Sequence, residues 1–396
     1  MNVDAIIIGG GACGLMCAVQ AGMLGKRVII LEKSEKPGKK ILISGGGRCN
    51  YTNIYIEGDE YISNNPNFLK SAFKQWTVED TIQFFETYGL TGEEKTLGQL
   101  FPTNKNAKDV VKIFTQLCDE LGQDIICNAH IIEVKNLDNG FEVIYNAGIK
   151  EEKLKAPKLV IATGGLPISK MGATDYALKF ATKLGLKIQP TAPALVPLTI
   201  TGKDADWYAK LSGNSVFCRV SNDKISFEEQ ILFTHWGLSG PAILQISSYW
   251  RPGEYINLDF LPDRSIQEII ENERINNGKW LLSTLLNKFF TKKFTESIGL
   301  YLPLEKQLAN LNKDDIEKIQ RTIHHFKVKP AGDKGYDKAE VMRGGIDTAE
   351  LSSKTLECKT APGLYFGGEC LDVTGWLGGY NFQWAWASGY VIAQNL

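Results

Sequence analysis

Six residues near the N-terminus constrain this chain more than any other feature: Gly9-Gly10-Gly11-Ala12-Cys13-Gly14. They follow the apolar run Asp4-Ala5-Ile6-Ile7-Ile8 and precede a segment, residues 13–24, whose apolar residues fall at helical spacing. Residues 27–32, Arg-Val-Ile-Ile-Leu-Glu, read as a second strand. Strand, tight turn, helix and strand make one unit of an α/β sheet. In Gly-x-Gly-x-x-Gly each glycine has its own reason. Gly9 permits the turn, Gly11 lets backbone approach a diphosphate, and Gly14 lets the helix lie close on the strand. Ala12 and Cys13 sit at the helix N-terminus, where unpaired N–H groups and the positive dipole end attract an anion. Glu32 closes the second strand, where a carboxylate accepts hydrogen bonds from ribose hydroxyls and repels a 2′-phosphate. Together these residues predict an adenine dinucleotide on a Rossmann-type α/β fold.

Bulk properties narrow the rest. With 396 residues the chain has room for two or three domains, and 43% apolar with 22% charged residues fits a soluble globular protein. A net charge of −1 gives no electrostatic case for nucleic acid or an anionic membrane, so neither partner is expected. The N-terminus lacks the basic region of a secretory signal. Glycines and Lys26-Arg27 interrupt the apolar stretch from Val3 to Leu31, whereas a membrane span needs about 20 unbroken apolar residues. The 8 cysteines are scattered with no Cys-x-x-Cys pair, so reduced thiols in a cytoplasm are expected. Cys13 and Cys17 lie four apart on the helix, but no further ligand completes a metal site. They read as small apolar filler, and no metal is expected.

Further along, helical patterns occupy 67–88 and 107–121, and residues 125–146 alternate around Asp138-Asn139-Gly140, a hairpin signal. Residues 158–165 read as a buried strand ending in Gly164-Gly165. Prolines at 190, 193 and 197 mark a boundary. Short strands follow to 262, then a helical pattern, and strand and glycine signals return from 341. The expected organisation is a discontinuous nucleotide-binding domain, 1–190 and 339–396. A two-part insertion interrupts it: a β-barrel-like subdomain, 191–262, and a helical one, 263–338.

A second bare-backbone segment, Ile43-Ser44-Gly45-Gly46-Gly47-Arg48-Cys49-Asn50, follows the second strand, and a third, Gly363-Leu364-Tyr365-Phe366-Gly367-Gly368-Glu369, comes late. A simple NAD dehydrogenase needs neither. FAD is longer and must be gripped at both ends, which fits glycine-rich segments far apart in sequence. Beyond Gly9–Gly14 and Glu32-Lys33, the runs GKKILISGGGRCNYTN (38–53), IATGG (161–165), FTHWGLSGPAIL (233–244) and GLYFGGECLDVTGWLGGYNFQWAWASG (363–389) resemble a family of bacterial FAD-dependent oxidoreductases. The family is described as aminoacetone-oxidase-like and includes a flavin reductase of bile-acid dehydroxylation. The resemblance covers nearly the whole chain. It implies an FAD domain interrupted by an insertion with β-barrel and helical parts.

The resemblance also implies residue roles. Lys33 joins Glu32 at the adenine end, and Lys40 opens the glycine-rich loop along the diphosphate and ribityl chain. In that loop Gly45 and Gly46 leave room for cofactor, Ser44 and Asn50 hydrogen-bond it, Arg48 faces the diphosphate or the ring, and Cys49 packs or touches flavin. Backbone at Ile131 is the expected adenine contact, and Thr163-Gly164 crosses beneath the cofactor. Gly368 and Glu369 stand where many FAD enzymes have Gly-Asp. Gly379, Tyr380 and Asn381 open an apolar helix whose N-terminus would stabilise reduced flavin. Gln383 is a ring contact or an ordinary polar helix residue.

For chemistry, His235 is the candidate proton carrier, with a structural role as its alternative, and Arg48 is the other candidate catalytic residue. His324-His325 reads as a solvated or partly packed surface. With no second Gly-x-Gly-x-x-Gly, NAD(P)H would enter the active site as a transient co-substrate. The expected activity is hydride transfer between flavin N5 and a small organic substrate, with NAD(P)H or O2 as the other partner. The alternatives are a flavin-fold protein acting on nucleic acid, as in tRNA modification, and a redox sensor without turnover.

Overall fold

A computed structural model describes residues 3–148 and 150–396. The chain divides into two compact units, Met1–Ala192 with Val341–Leu396, and Pro193–Glu340.

The first unit is built on a five-stranded parallel sheet in the order Leu364–Phe366, Lys158–Ile161, Ala5–Ile8, Val28–Leu31, Asp124–Ile126. Ala5, Ile6 and Ile7 are fully buried, as continuous apolar runs in a sheet covered on both faces must be. The helix Ala12–Met23 leaves the first strand and packs on the C-terminal helix Tyr380–Ala393. Gly389 allows that approach, because a Cβ there would lie 2.5 Å from the Cys13 carbonyl oxygen. Cys13 and Cys17 are buried in the core, and all eight cysteines are free.

The helical stretch at 67–88 is two helices, Phe68–Gln75 and Val78–Thr87. Thr77 starts the second. Its Oγ1 accepts from Asp80 N at 3.1 Å while Asp80 Oδ2 accepts from Thr77 N at 2.8 Å, a capping box that ends one helix and begins another. The same device, Asn106 with Asp109, opens Ala107–Glu120. The expected hairpin spans Ala129–Leu137 and Gly140–Ala147, and Lys150–Ala156 adds a third antiparallel strand.

The second unit holds a seven-stranded sheet whose central hairpin is Ser215–Ser221 with Ser226–Thr234. Helix Pro241–Tyr249 packs on it, starting with proline where a missing N–H costs nothing. The strands Phe326–Val328 and Gly332–Asp333 join this same sheet. The sheet therefore draws strands from both sides of the expected division at 263, and the helices between 266 and 324 form an excursion from it. Trp207 stacks on Phe326 of the sheet at 5.5 Å, meets Tyr301 edge-on at 5.6 Å and donates from Nε1 to the Ser297 carbonyl at 2.8 Å, tying that excursion to the core.

Candidate cofactor and reaction site

The first turn fits bound dinucleotide phosphate through local sterics. A Cβ at Gly14 would overlap the Gly9 carbonyl oxygen, so only glycine lets the helix begin so near the strand. Gly11 is different: apart from its own chain neighbours, no atom of the described residues lies within 4 Å of where its Cβ would stand. No side chain caps the helix that starts there, and its first turn carries no acidic residue. Bare backbone, open space and uncapped N–H groups make a site suited to a diphosphate. Glu32 closes the turn, with Oε2 accepting from Gly10 N and Oε1 from Ser34 N, both at 2.7 Å. Each carboxylate oxygen keeps acceptor capacity for a ribose hydroxyl. The Glu32 carbonyl accepts from Ala129 N at 2.9 Å, which sets the Ala129–Leu137 strand and half-buried Ile131 beside it. Lys33 is exposed.

The second turn answers why three glycines stand in a row. Lys39–Gly47 begins as a helix and unwinds at Ser44, after which Gly45, Gly46 and Gly47 have φ of 53°, 67° and 84°. Successive left-handed residues are costly with a Cβ. Phe101 lies under Gly45, where a Cβ would meet its ring at 2.8 Å, while Gly46 faces open space. Arg48 returns to φ −94°, after which Cys49 is left-handed again at φ 64° and fully buried. Burial pushes its thiol up to about 12, which disfavours the reactive thiolate. Ser44 Oγ is spent on the Ile41 carbonyl at 2.8 Å. The exposed Arg48 guanidinium lies over Phe101, 5.0 Å from the ring centroid.

The late glycines come to both turns. Gly367 abuts Cys13, whose Sγ would be 2.6 Å from a Cβ there. Gly368 N donates to Ser388 Oγ, and Trp384 Nε1 donates to the Gly368 carbonyl, both at 3.0 Å. Gly379 takes φ 99° against the Thr52 backbone, and Asn53 Nδ2 donates to the Gly378 carbonyl at 2.9 Å. With its amide oriented to satisfy its neighbours, buried Asn50 donates to Thr52 O and Leu100 O at 2.9 and 3.0 Å and accepts from Gly379 N at 3.2 Å.

Several expected cofactor side chains hydrogen-bond within the protein. Glu369 pairs with Lys40 at 2.7 Å and accepts from Met342 N at 3.0 Å. Asn381 accepts from Gly375 N at 2.8 Å and donates to the Gly375 carbonyl at 2.9 Å. Tyr380 is buried, its carbonyl accepting from Tyr61 OH at 2.8 Å. Gln383 is scaffold: fully buried, it accepts at Oε1 from Thr52 and Thr81 hydroxyls at 2.8 Å and donates to the Thr77 carbonyl at 3.0 Å. Thr163 is the converse, since its Oγ1 is buried and has no hydrogen-bond partner among the described residues. That orphaned hydroxyl, the open face of Gly11 and the uncapped helix together fit a bound dinucleotide.

In the second unit His235 stands exposed in the turn between Ser226–Thr234 and Gly237–Ser239, its ring edge-on to Trp236 at 4.0 Å. His324 is partly packed and His325 is exposed. The His324 Nδ1 lies 2.9 Å from Asp259 Oδ1, and its Nε2 accepts from Ile266 N at 3.2 Å, the start of a helix. Residues unmarked in the sequence include Lys95, Phe101 and Tyr55 around the second turn, because no spacing pattern links them. A groove of about 390 Å³ lined by Ile54, Ile56, Phe73, Thr77, Val78, Glu79 and Ile82 has neither glycine turn nor convergent polar groups, and carries no reaction chemistry.

Comparison with known proteins follows this geometry. The family described as HI0933-like protein Rossmann domain matches residues 3–395. The ribosomal RNA dihydrouridine synthase of Escherichia coli (strain K12) is 41% identical over 395 residues, 99% of this chain and 98% of that protein. The protein of the same name from Haemophilus influenzae is 40% identical over 395 residues, with the same coverage. A 3-dehydro-bile acid delta(4,6)-reductase of Clostridium scindens is 30% identical over 409 residues, 98% of this chain and 97% of that one. Among solved structures, the Mycobacterium smegmatis Sdh1 complex in the apo form aligns with a TM-score of 0.50 at 15% identity, covering 99% of this chain and 67% of that one, a likeness of fold.

Proposed function

The chain belongs to the HI0933-like family of FAD-dependent oxidoreductases, and from that premise we propose that it reduces a uracil base of ribosomal RNA to dihydrouracil. The observation that carries this reading is the pair of relatives at 41% and 40% identity, matched over nearly their whole length, that bear that name. The expectation of no nucleic-acid partner is revised accordingly. It rested on a net charge of −1, and a sum over the whole chain does not describe any one face.

The chemistry is compatible with the more distant relative. A dihydrouridine synthase and a delta(4,6)-reductase both saturate a carbon–carbon double bond. In uracil the C5=C6 bond is conjugated to the C4 carbonyl, so hydride adds at C6 and a proton at C5. Bound FAD, reduced by NADH or NADPH, would supply the hydride. This chain's residues would hold it in place. Glu32 would accept from the ribose, the N–H groups at Ala12, Cys13 and Gly14 would face the diphosphate, and the Thr163 hydroxyl would gain the partner it lacks. The backbone at Gly45 and Gly46 would line the ribityl chain, and the N-terminus of Tyr380–Ala393 would favour negative charge on the ring. His235, exposed in its turn, is proposed as the proton carrier.

Mass spectrometry of RNA tests the reading. Purified yellow protein, NADH or NADPH, and unmodified ribosomal RNA transcribed in vitro should yield one dihydrouridine at a fixed position. No product with either nicotinamide on large- or small-subunit transcripts would refute it. A second reading, reduction of a small conjugated ketone, rests on the 30% identical reductase, and nicotinamide oxidation dependent on such a ketone but not on RNA would favour it.

A further inference from the structure

A uracil base inside a folded RNA cannot be reduced until it leaves its stack, so an enzyme of this kind must hold a splayed strand beside its reacting cofactor. Surfaces that do this combine cations for phosphates with an exposed aromatic ring for a base. The chain has such a surface beside its second glycine turn.

Its foundation is a small antiparallel sheet, in the order Thr52–Asn53, Gln99–Pro102, Gly92–Glu94. Asn53 pairs with Gln99, and Phe101 with Glu93, so these four side chains share one face. That face carries both ring-end turns. Gly45 rests on Phe101, and Gly378 rests on Gln99, whose Cγ would be 3.0 Å from a Cβ there. Around these turns stand two cations and an exposed aromatic ring, and Arg48 Nε also donates to the Gly45 carbonyl at 3.4 Å. Arg48 and Lys95 both lie over the Phe101 ring, at 5.0 and 4.8 Å from its centroid. Arg48 makes no ion pair among the described residues, and Lys95 has Glu93 at 3.8 Å. Tyr55 is 58% exposed, propped against Gly98, where a Cβ would meet its ring at 2.5 Å, and neighbouring Leu97 is 55% exposed. Phe101 itself is buried, so it anchors the two cations rather than offering a face.

We propose that this rim binds a single-stranded segment of ribosomal RNA. Arg48 and Lys95 take phosphates next to the target nucleotide, and Tyr55 stacks on an adjacent base. The proposal rests on the functional reading above and adds the residues that receive the strand. Glu93 partly neutralises Lys95, which gives the surface a built-in counterweight.

Filter binding of unmodified ribosomal RNA, transcribed in vitro, to the flavin-loaded protein at graded salt tests it. Tyr55→Ala should weaken binding about fivefold or more, the loss expected for one stacked base. Lys95→Ala should weaken binding and lower the slope of log affinity against log salt by about 0.7, the value for one single-strand phosphate. Glu93→Gln should tighten binding, a gain that misfolding cannot produce. Each variant should keep its flavin absorbance. If the wild type binds the transcripts and forms dihydrouridine while all three variants bind as it does, the rim is not the RNA surface and the function stands. If the wild type neither binds nor modifies the RNA, the function falls and this proposal falls with it.

Discussion

The two glycine-rich turns of the first unit solve one problem by opposite means. At Gly9–Gly14 the essential contact is between residues five apart, Gly14 lying on Gly9, and Gly11 is left facing open space. At Gly45–Gly47 the backbone is forced left-handed and Phe101 lies beneath it, while the ring-end partner Gly379 presses on Thr52 from the far end of the chain. The first is centred on a short-range contact that a motif encodes, although Gly9 also lies against the Ala162 carbonyl. The second needs the whole fold to exist before its shape has meaning.

Substitutions at these positions test that contrast. Gly14→Ala and Gly379→Ala each drive a Cβ into backbone, and Gly379 also has positive φ, so both should destabilise by about 3 kcal/mol or more in denaturant melts. Near-normal stability of either would mean the close approaches are not required. Gln383→Leu should cost about 2 kcal/mol by leaving the Thr77 carbonyl and the Thr52 and Thr81 hydroxyls without their buried partner. A neutral result would make the ring-end turn independent of the C-terminal helix. Gly11→Ala should move the stability of flavin-free protein by no more than about 0.5 kcal/mol, since its Cβ meets nothing. It should nevertheless release flavin on gel filtration, and yellow protein from this variant would overturn the diphosphate assignment.

The smallest effect concerns acid. Burial acts to raise Asp347, but hydrogen bonds from Ala349 N, Lys187 and Gln189 together hold its carboxyl below the ordinary aspartate range. A depressed folded value means its stabilisation is present above that ordinary range and disappears as pH falls through the folded value. The stability gap between wild type and Asp347→Asn should therefore close on acidification, and a gap that stays constant would remove the carboxylate from the account.

What the sequence made legible follows the same division. Strand, turn, helix and Glu32 could be read because their contacts lie close along the chain or between adjacent parallel strands. The Asp138-Asn139-Gly140 hairpin was legible for the same reason. Asn381 and Gln383 were not, because whether an amide faces a ligand or a carbonyl depends on Gly375 and Thr77, which no spacing pattern pairs with them. His324 has the same lesson. Its neighbours in sequence are charged, and its actual partners, Asp259 and Ile266, come from elsewhere in its unit. Expecting separate β-rich and helical stretches after 190 also missed that the strands Phe326–Val328 and Gly332–Asp333 return to the earlier sheet. Runs of similar residues mark elements, and only pairing decides which sheet an element completes.

Because Gly367 seats against Cys13 and Gly379 against Thr52, the cradle proposed for the nucleotide is closed by residues far away along the chain. A chain cut before Gly367 would lack both closures while keeping the N-terminal strand and helix, so such a truncation should fail to hold flavin.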